Sequence, residues 1–256
     1  WGLKTRNEWY YVACCPPNLE RTIGALPGYL YSTSRDGVYV HLFHNSAMDW
    51  RLEDGTGLKL TQTTEYPWKD AVEIAVAPAK PSEFTMYVRI PGWSRSASVA
   101  VNGKPVSNAR PGEYLAVRRR WQEGDKLTAK FDLGTQLITA NPRLADDLGK
   151  VAVQRGPLIY CLEQHDQSEP LALLRLAVGR DPGKDFTPEF RSEFLGGVMV
   201  LRHKGQALEG DEPLYAPLGA LAKSRTRSAD LTLIPYYAWE NRGAVPMKVW
   251  IPFATR

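Results

Sequence analysis

From Gly37 to the end of the chain, apolar residues fall at every second position in short runs separated by turn residues. Successive side chains of an extended strand point to opposite faces, so this period builds half-buried strands and argues against a helical body. After the turn signal Asp36–Gly37, Val38, Val40 and Leu42 alternate with Tyr39, His41 and Phe43. Leu58–Thr63, Ala71–Ala77, Phe84–Ile90, Ser98–Val101, Tyr114–Val117 and Lys126–Leu133 continue the pattern. Asn102–Gly103 marks a hairpin turn and Glu123–Gly124–Asp125 another. Short strands joined in this way predict an antiparallel sandwich.

Residues 136–150 break the rhythm and are read as a boundary. Beyond them Val151–Val153, Pro157–Glu163, Phe194–Leu201, Asp230–Ile234 and Met247–Ile251 read as a second β region. The polar stretch from Gln164 to Glu193 is expected to form long loops, with a short helical piece at Leu171–Val178.

The segment before Gly37 is different. Leu19, Ile23, Leu26 and Leu30 recur at helical spacing and predict one apolar helix face. Pro16 suits the first helical position, where a missing N–H costs nothing, and Pro27–Gly28 ends the helix. This places Cys15 near the N-cap and Cys14 just outside it.

Composition narrows the function classes. The 256 residues are 43% hydrophobic and 23% charged, with 8 Trp and 12 Tyr, which excludes a disordered chain. A net charge of +4 is too small at this length to point to nucleic acid or a membrane surface. No apolar run reaches the roughly 18 residues of a membrane span. Three cysteines are too few and too uneven for a disulfide scaffold. The chain opens at Trp1 without a signal-like segment and reads as a piece of a longer protein.

The adjacent Cys14 and Cys15 carry the strongest chemical signal. A thiolate is a soft metal ligand and a strong nucleophile, and a helix N-terminus favours it. Two neighbouring cysteines supply at most two of the four or so ligands of a closed zinc site. Two buried free thiols and a vicinal disulfide are the competing readings. His41 and His44, three apart on a strand, point to opposite faces and make a poor metal pair. His165 and His203 stand alone in turn-like contexts. Asp146–Asp147, Glu189 with Glu193, and Asp211–Glu212 are the paired carboxylates that ordinary glycosidase chemistry would need, and all read as solvated surface groups. Arg118–Arg119–Arg120 reads as a solvated strand face.

Several strings resemble one family. Glu8-Trp9, Ala13-Cys14-Cys15-Pro16-Pro17-Asn18-Leu19, Gly28-Tyr29 and Asp36-Gly37-Val38-Tyr39-Val40 are similar to the cysteine-and-zinc glycoside hydrolases, the β-L-arabinofuranosidases. Arg155-Gly156-Pro157-Leu158-Ile159-Tyr160-Cys161-Leu162-Glu163 and Leu233-Ile234-Pro235-Tyr236-Tyr237-Ala238-Trp239, followed by Asn241-Arg242-Gly243, add to the resemblance in the same order. Val12 departs from the family, many members of which carry a further cysteine there.

The resemblance implies a mainly β chain: two antiparallel β-sandwich domains preceded by the terminal helix of a missing (α/α)6 barrel. Residues 1–30 would be the end of the catalytic barrel, 31–135 the first sandwich and 136–256 the second. It implies a retaining mechanism on an arabinofuranoside-type glycan, with Cys14 as zinc-bound nucleophile and Cys15 as a further zinc ligand. The remaining ligands and the acid/base glutamate would lie upstream, which makes this chain alone inactive. It also implies a homodimer through the sandwich region. Cys161 reads as a buried strand residue. The competing class is a non-catalytic sandwich that binds glycans or mediates dimerisation, with Trp93, Trp121, Trp239 and Trp250 as stacking candidates. A small zinc or redox protein is a third reading, disfavoured by the lack of a second cysteine pair.

Overall fold

The computed structural model describes residues 14–209, 215, 217 and 225–255. Glu8-Trp9, Val12, Ala13 and the Asp211–Glu212 pair fall outside the described residues. The chain divides into two compact units at 133/134.

The first unit opens with helix α1 (Cys15–Ala25), a single 3-10 turn (Leu26–Tyr29) and then strands only. One sheet of four holds β1 (Tyr31–Ser34), β2 (Gly37–Val40), β6 (Ser82–Arg89) and β9 (Tyr114–Trp121) in the order β1-β2-β6-β9. The other sheet holds β3 (Ser46–Arg51), β4 (Gly57–Thr64), β5 (Ala71–Pro78), β7 (Ala97–Val101), β8 (Lys104–Val106) and β10 (Asp125–Phe131), in the order β3-β4-β5-β10-β7-β8. Val38, Met86 and Val117 of the first sheet share a core with Leu60, Ile74 and Leu127 of the second. The strict alternation of β5, half-buried then buried along its whole length, is the signature of a sheet with one face on a core.

Two expectations are corrected here. The sandwich is not wholly antiparallel: β2 and β6 run parallel, with Gly37 opposite Thr85 and Val40 opposite Val88. A parallel pair needs a long crossover, and β3, β4 and β5 in the other sheet supply it. The alternation read through Phe43 also fails, because the strand ends at Val40 and the chain turns, burying Phe43 rather than Leu42. Gly37 is demanded by the parallel pair. A Cβ there would run into the carbonyl of Thr85 on the neighbouring strand. Trp121 ends β9 fully buried, its Nε1 donating to the carbonyl of Phe84 at 3.0 Å.

The second unit carries β11 (Thr135–Thr139), β12 (Lys150–Arg155), β13 (Leu158–Glu163), β14 (Leu174–Val178), β15 (Phe186–Arg191), β16 (Val198–Leu208), β17 (Thr226–Pro235), β18 (Met247–Lys248) and β19 (Ile251–Thr255). They form one sheet rather than two separate ones. Because β12 pairs with both β19 and β13, the run β12-β19-β14-β16-β17-β13 closes on itself around its own core, giving a sandwich-like unit with few free edges. The stretch expected as loops contains β14 and β15, and Leu171–Val178 is a short 3-10 turn followed by strand rather than a helical piece. β14 pairs antiparallel to β16 and parallel to β19, so one of its partners comes from the far end of the chain.

His203, expected in a turn, lies within β16 and is 3% exposed. Its Nε2 accepts from the Ala177 N–H at 3.1 Å, so Nδ1 carries the proton and donates to the carbonyl of Asp185, also at 3.1 Å. The ring stacks on Phe186 at 4.5 Å. It is a satisfied core histidine that joins β14 to β16.

An ionic cluster ties the second unit's two sequence motifs together. Glu163, at the end of β13, is fully buried. Its Oε1 accepts from the backbone N–H of Glu240 at 2.6 Å, and its Oε2 takes Arg242. Arg242 also bonds Asp166 at 2.5 Å and covers the Phe194 ring at 4.5 Å. Asp166 chiefly, then Glu163, hold the guanidinium firmly protonated.

Gly37→Ala is expected to cost about 1–3 kcal/mol, the range for forced overpacking, read from urea unfolding; an unchanged midpoint would mean that β2 and β6 can part. Arg242→Ala leaves Glu163 buried without its counter-ion and is expected to cost about 3–5 kcal/mol. Adding Glu163→Gln removes the stranded charge and should recover part of the loss in thermal unfolding. No recovery would show that the guanidinium acts by packing on Phe194 alone.

Candidate active site

The two thiols sit at the start of α1, one residue earlier than expected: Cys14 is the N-cap and Cys15 the first helical residue. Pro16 and Pro17 fill the first turn and bring no N–H groups, so the usual donors of a helix N-terminus are reduced there. Both thiols are exposed and free, which removes the reading of two buried cysteines within this chain. Their sulfurs lie 3.6 Å apart.

That separation can be tested against metal binding. Two sulfurs held at about 2.3 Å by one tetrahedral zinc ion lie about 3.8 Å from each other. The observed spacing therefore suits two ligands of a shared ion, without a change of backbone. The same closeness has an electrostatic consequence. Hydrogen bonding and charge repulsion from Cys14 push the Cys15 thiol above its ordinary pKa. A bound cation reverses that penalty by stabilising both thiolates. Among the described residues no group of three or more His, Cys, Asp or Glu is placed to hold a metal.

Asn18 and Arg21 follow the pair along α1 and form a hydrogen-bonded chain to its backbone. Asn18 Nδ2 donates to the Cys14 carbonyl at 2.5 Å, and Arg21 Nη1 donates to Asn18 Oδ1 at 2.9 Å. The signal available was Asn18 itself, one helical turn after Cys14 and directly after the two prolines.

The helix face that carries Leu19, Ile23 and Leu26 is exposed, at 62%, 63% and 41%, and α1 buries none of its residues in the described chain. A groove of about 770 Å³ runs beside it, lined by Ile23, Leu26, Leu30, Tyr31, Met48 and Trp50 among others. The helix is anchored at its far end. The His41 N–H donates to the Leu30 carbonyl at 2.9 Å, and buried Gln62 donates to the Tyr31 hydroxyl at 2.9 Å and to the Leu42 carbonyl at 3.1 Å.

The other candidate groups do not assemble. His41 is half-buried, bonded to Ser32 at 2.7 Å and to Tyr114 at 2.5 Å, while His44 is exposed. Asp146, Glu189 and Glu193 are exposed; Glu189 pairs with Arg202 and Arg191. In the arginine run, Arg118 pairs with Glu83 and Arg119 lies over Trp121. Cys161 is buried, and burial pushes its thiol up to about 12, which makes it inert. Trp121 is buried and Trp93, Trp239 and Trp250 are half-buried. Tyr39, Tyr87 and Tyr114 form the partly exposed aromatic cluster. Tyr39 and Tyr87 stack on each other at 4.2 Å and Tyr114 stands 76° to Tyr39, so the three make no common flat platform. No helix among the described residues is long and apolar enough to cross a membrane.

With this geometry in hand, known proteins supply the context. Residues 37–133 match the family model of the β-L-arabinofuranosidase GH127 middle domain, and residues 135–252 that of the glycoside hydrolase family 127 C-terminal domain. A non-reducing end β-L-arabinofuranosidase of Bifidobacterium longum subsp. longum is 38% identical over 259 aligned positions, covering 97% of this chain and 38% of that protein. The crystal structure of a GH127 β-L-arabinofuranosidase from Geobacillus stearothermophilus T6 superposes with a TM-score of 0.90 at 36% identity, covering 99% of this chain and 39% of that one. A solved GH127 β-arabinofuranosidase gives 0.85 at 33% identity, covering 98% and 40%. The chain thus spans about two fifths of the length of these relatives. With both of its units matched by models of one family, the chain belongs to glycoside hydrolase family 127.

Proposed function

We propose that this chain is the C-terminal part of a retaining glycoside hydrolase that releases L-arabinofuranose from plant-type glycans, with Cys14 as its nucleophile. The observation that carries the reading is the pair of exposed thiols at a helix start, spaced 3.6 Å apart as two ligands of one ion would be. Cys14 and Cys15 would hold zinc together with donors outside this chain. Zinc, when bound, keeps a thiol as thiolate at neutral pH.

The chemistry required of the chain's own residues is short. The Cys14 sulfur attacks the anomeric carbon; the C–S bond forms as the glycosidic C–O bond breaks. The departing oxygen takes its proton from a carboxylic acid outside this chain, as the family resemblance implies. Water then attacks the same carbon, the C–S bond breaks and Sγ returns as thiolate, while the carboxylate removes the water's proton. Two inversions give net retention, and dividing one hard displacement into two lowers each barrier. Cys15 stays a ligand, as the family resemblance implies. Helix α1 is on this reading the last helix of the catalytic barrel.

In the full-length protein, Cys14→Ser is expected to abolish turnover of an arabinofuranoside while leaving the unfolding midpoint in place. Near-normal activity of that variant overturns the assignment. Residues 1–256 alone are expected to release no arabinose and to retain well under one zinc per chain after desalting. A stoichiometric zinc content in metal analysis would favour a self-sufficient zinc protein instead.

A further inference from the structure

Helix α1 begins without a conventional cap. Cys14 stands at the N-cap with a helical backbone (φ −73°, ψ −35°), and no side chain caps the turn. The carbonyl of the peptide that joins Cys14 to Cys15 takes a side-chain donor from one turn downstream. A helical side chain lies over the turn N-terminal to its own Cα, and residue 18 is placed in this way over residue 14. The Asn18 amide donates to the Cys14 carbonyl at 2.5 Å. Arg21 donates to Asn18 Oδ1 at 2.9 Å, and Thr22 Oγ1 to the Asn18 carbonyl at 2.8 Å. The guanidinium settles which way the amide faces. A flipped amide would set NH2 against guanidinium and oxygen against carbonyl, two repulsive contacts.

A single rotatable bond, Cα–Cβ, separates a cysteine Cα from its sulfur, so within one rotamer the thiol's direction follows the backbone. Both thiols flank one peptide, so a tilt of that peptide changes the aim of Cys14 and the separation of the two sulfurs together. On the reading of Cys14 as the nucleophile, we propose that Asn18 is a positioning residue: locked by Arg21, it fixes the Cys14–Cys15 peptide and through it the line of attack. Asn18 and Arg21 are both exposed within this chain, and the unfolding midpoint of each full-length variant is measured beside its rate to separate misplacement from misfolding. Misplacing a reacting atom by about 1 Å, by contrast, costs about a hundredfold in rate.

The test uses the full-length enzyme. Asn18→Asp keeps the shape and replaces the donor with an acceptor facing the Cys14 carbonyl. It is expected to lower kcat about a hundredfold with KM within about twofold and an unchanged unfolding midpoint. Arg21→Ala frees the amide to turn and should lower kcat about tenfold. A readout independent of turnover is iodoacetamide alkylation of metal-free protein, mapped by peptide mass. The ratio of Cys14 to Cys15 labelling should shift at least about threefold in both variants. Wild-type kcat and labelling ratio in both variants would overturn the proposal, as would a kcat loss that merely tracks a lowered midpoint. Cys14→Ser run alongside separates the two layers. If it retains turnover, the nucleophile assignment itself fails; if it is silent while Asn18→Asp is normal, the positioning role alone fails.

Discussion

The parallel ladder between β2 and β6 joins the start of the chain to the first sandwich. Helix α1 buries nothing within the described residues, and an isolated helix of eleven residues is marginal in water. What fixes its position is the route from the helix through the 3-10 turn into β1, the β1–β2 hairpin, and the seating of β2 beside β6. Gly37 makes that seating sterically feasible, and the contacts of Gln62 with Tyr31 and Leu42 brace it from β4. The thiols are therefore carried at the end of α1 away from that hydrogen-bonded base, and among the described residues they are exposed.

The two units answer the edge problem of β structure differently. The first stacks two open sheets over a shared core, leaving β3 and β8 as edges of one and β1 and β9 as edges of the other. The second closes its sheet through β12 and clamps the ends of β13 and the segment after β17 with Glu163 and Arg242. A buried ion pair is weak evidence for net stability, because desolvation offsets the attraction. Its use here is registry: Glu163 accepts the Glu240 N–H and the Arg242 side chain at once, which fixes how the two segments meet.

Much of the strand content could be read from period alone. β5 and β10 alternate cleanly, and the runs read at Ala71–Ala77 and Lys126–Leu133 lie close to the observed β5 and β10. Two exposed strands escape a reading by period. β15 exposes four residues in a row, Thr187 to Phe190, and β1 is exposed from Ser32 to Ser34, so neither carries a two-residue apolar rhythm. His203 was misplaced because the polar residues around it resemble a turn, whereas in the fold they form the exposed face of β16. At the thiol pair, the sequence marks Cys14 and Cys15 by their adjacency and holds Asn18 in the same motif string, but the link from Cys14 through Asn18 to Arg21 is a hydrogen-bond geometry that only the structure shows.

The sequence by itself determined what depends on near neighbours: the helix start at the two prolines, the turn residues, the half-buried strands and the adjacency of two thiols. These follow from local sterics and from the two-residue and 3.6-residue periods. Only the tertiary structure decided the parallel pairing of β2 with β6, the closing of the second sheet and the meeting of Glu163 with Arg242. Strand pairing and ion pairing join residues tens of positions apart or set side chains in space. Their energies come from cores and burial that no local window of sequence contains.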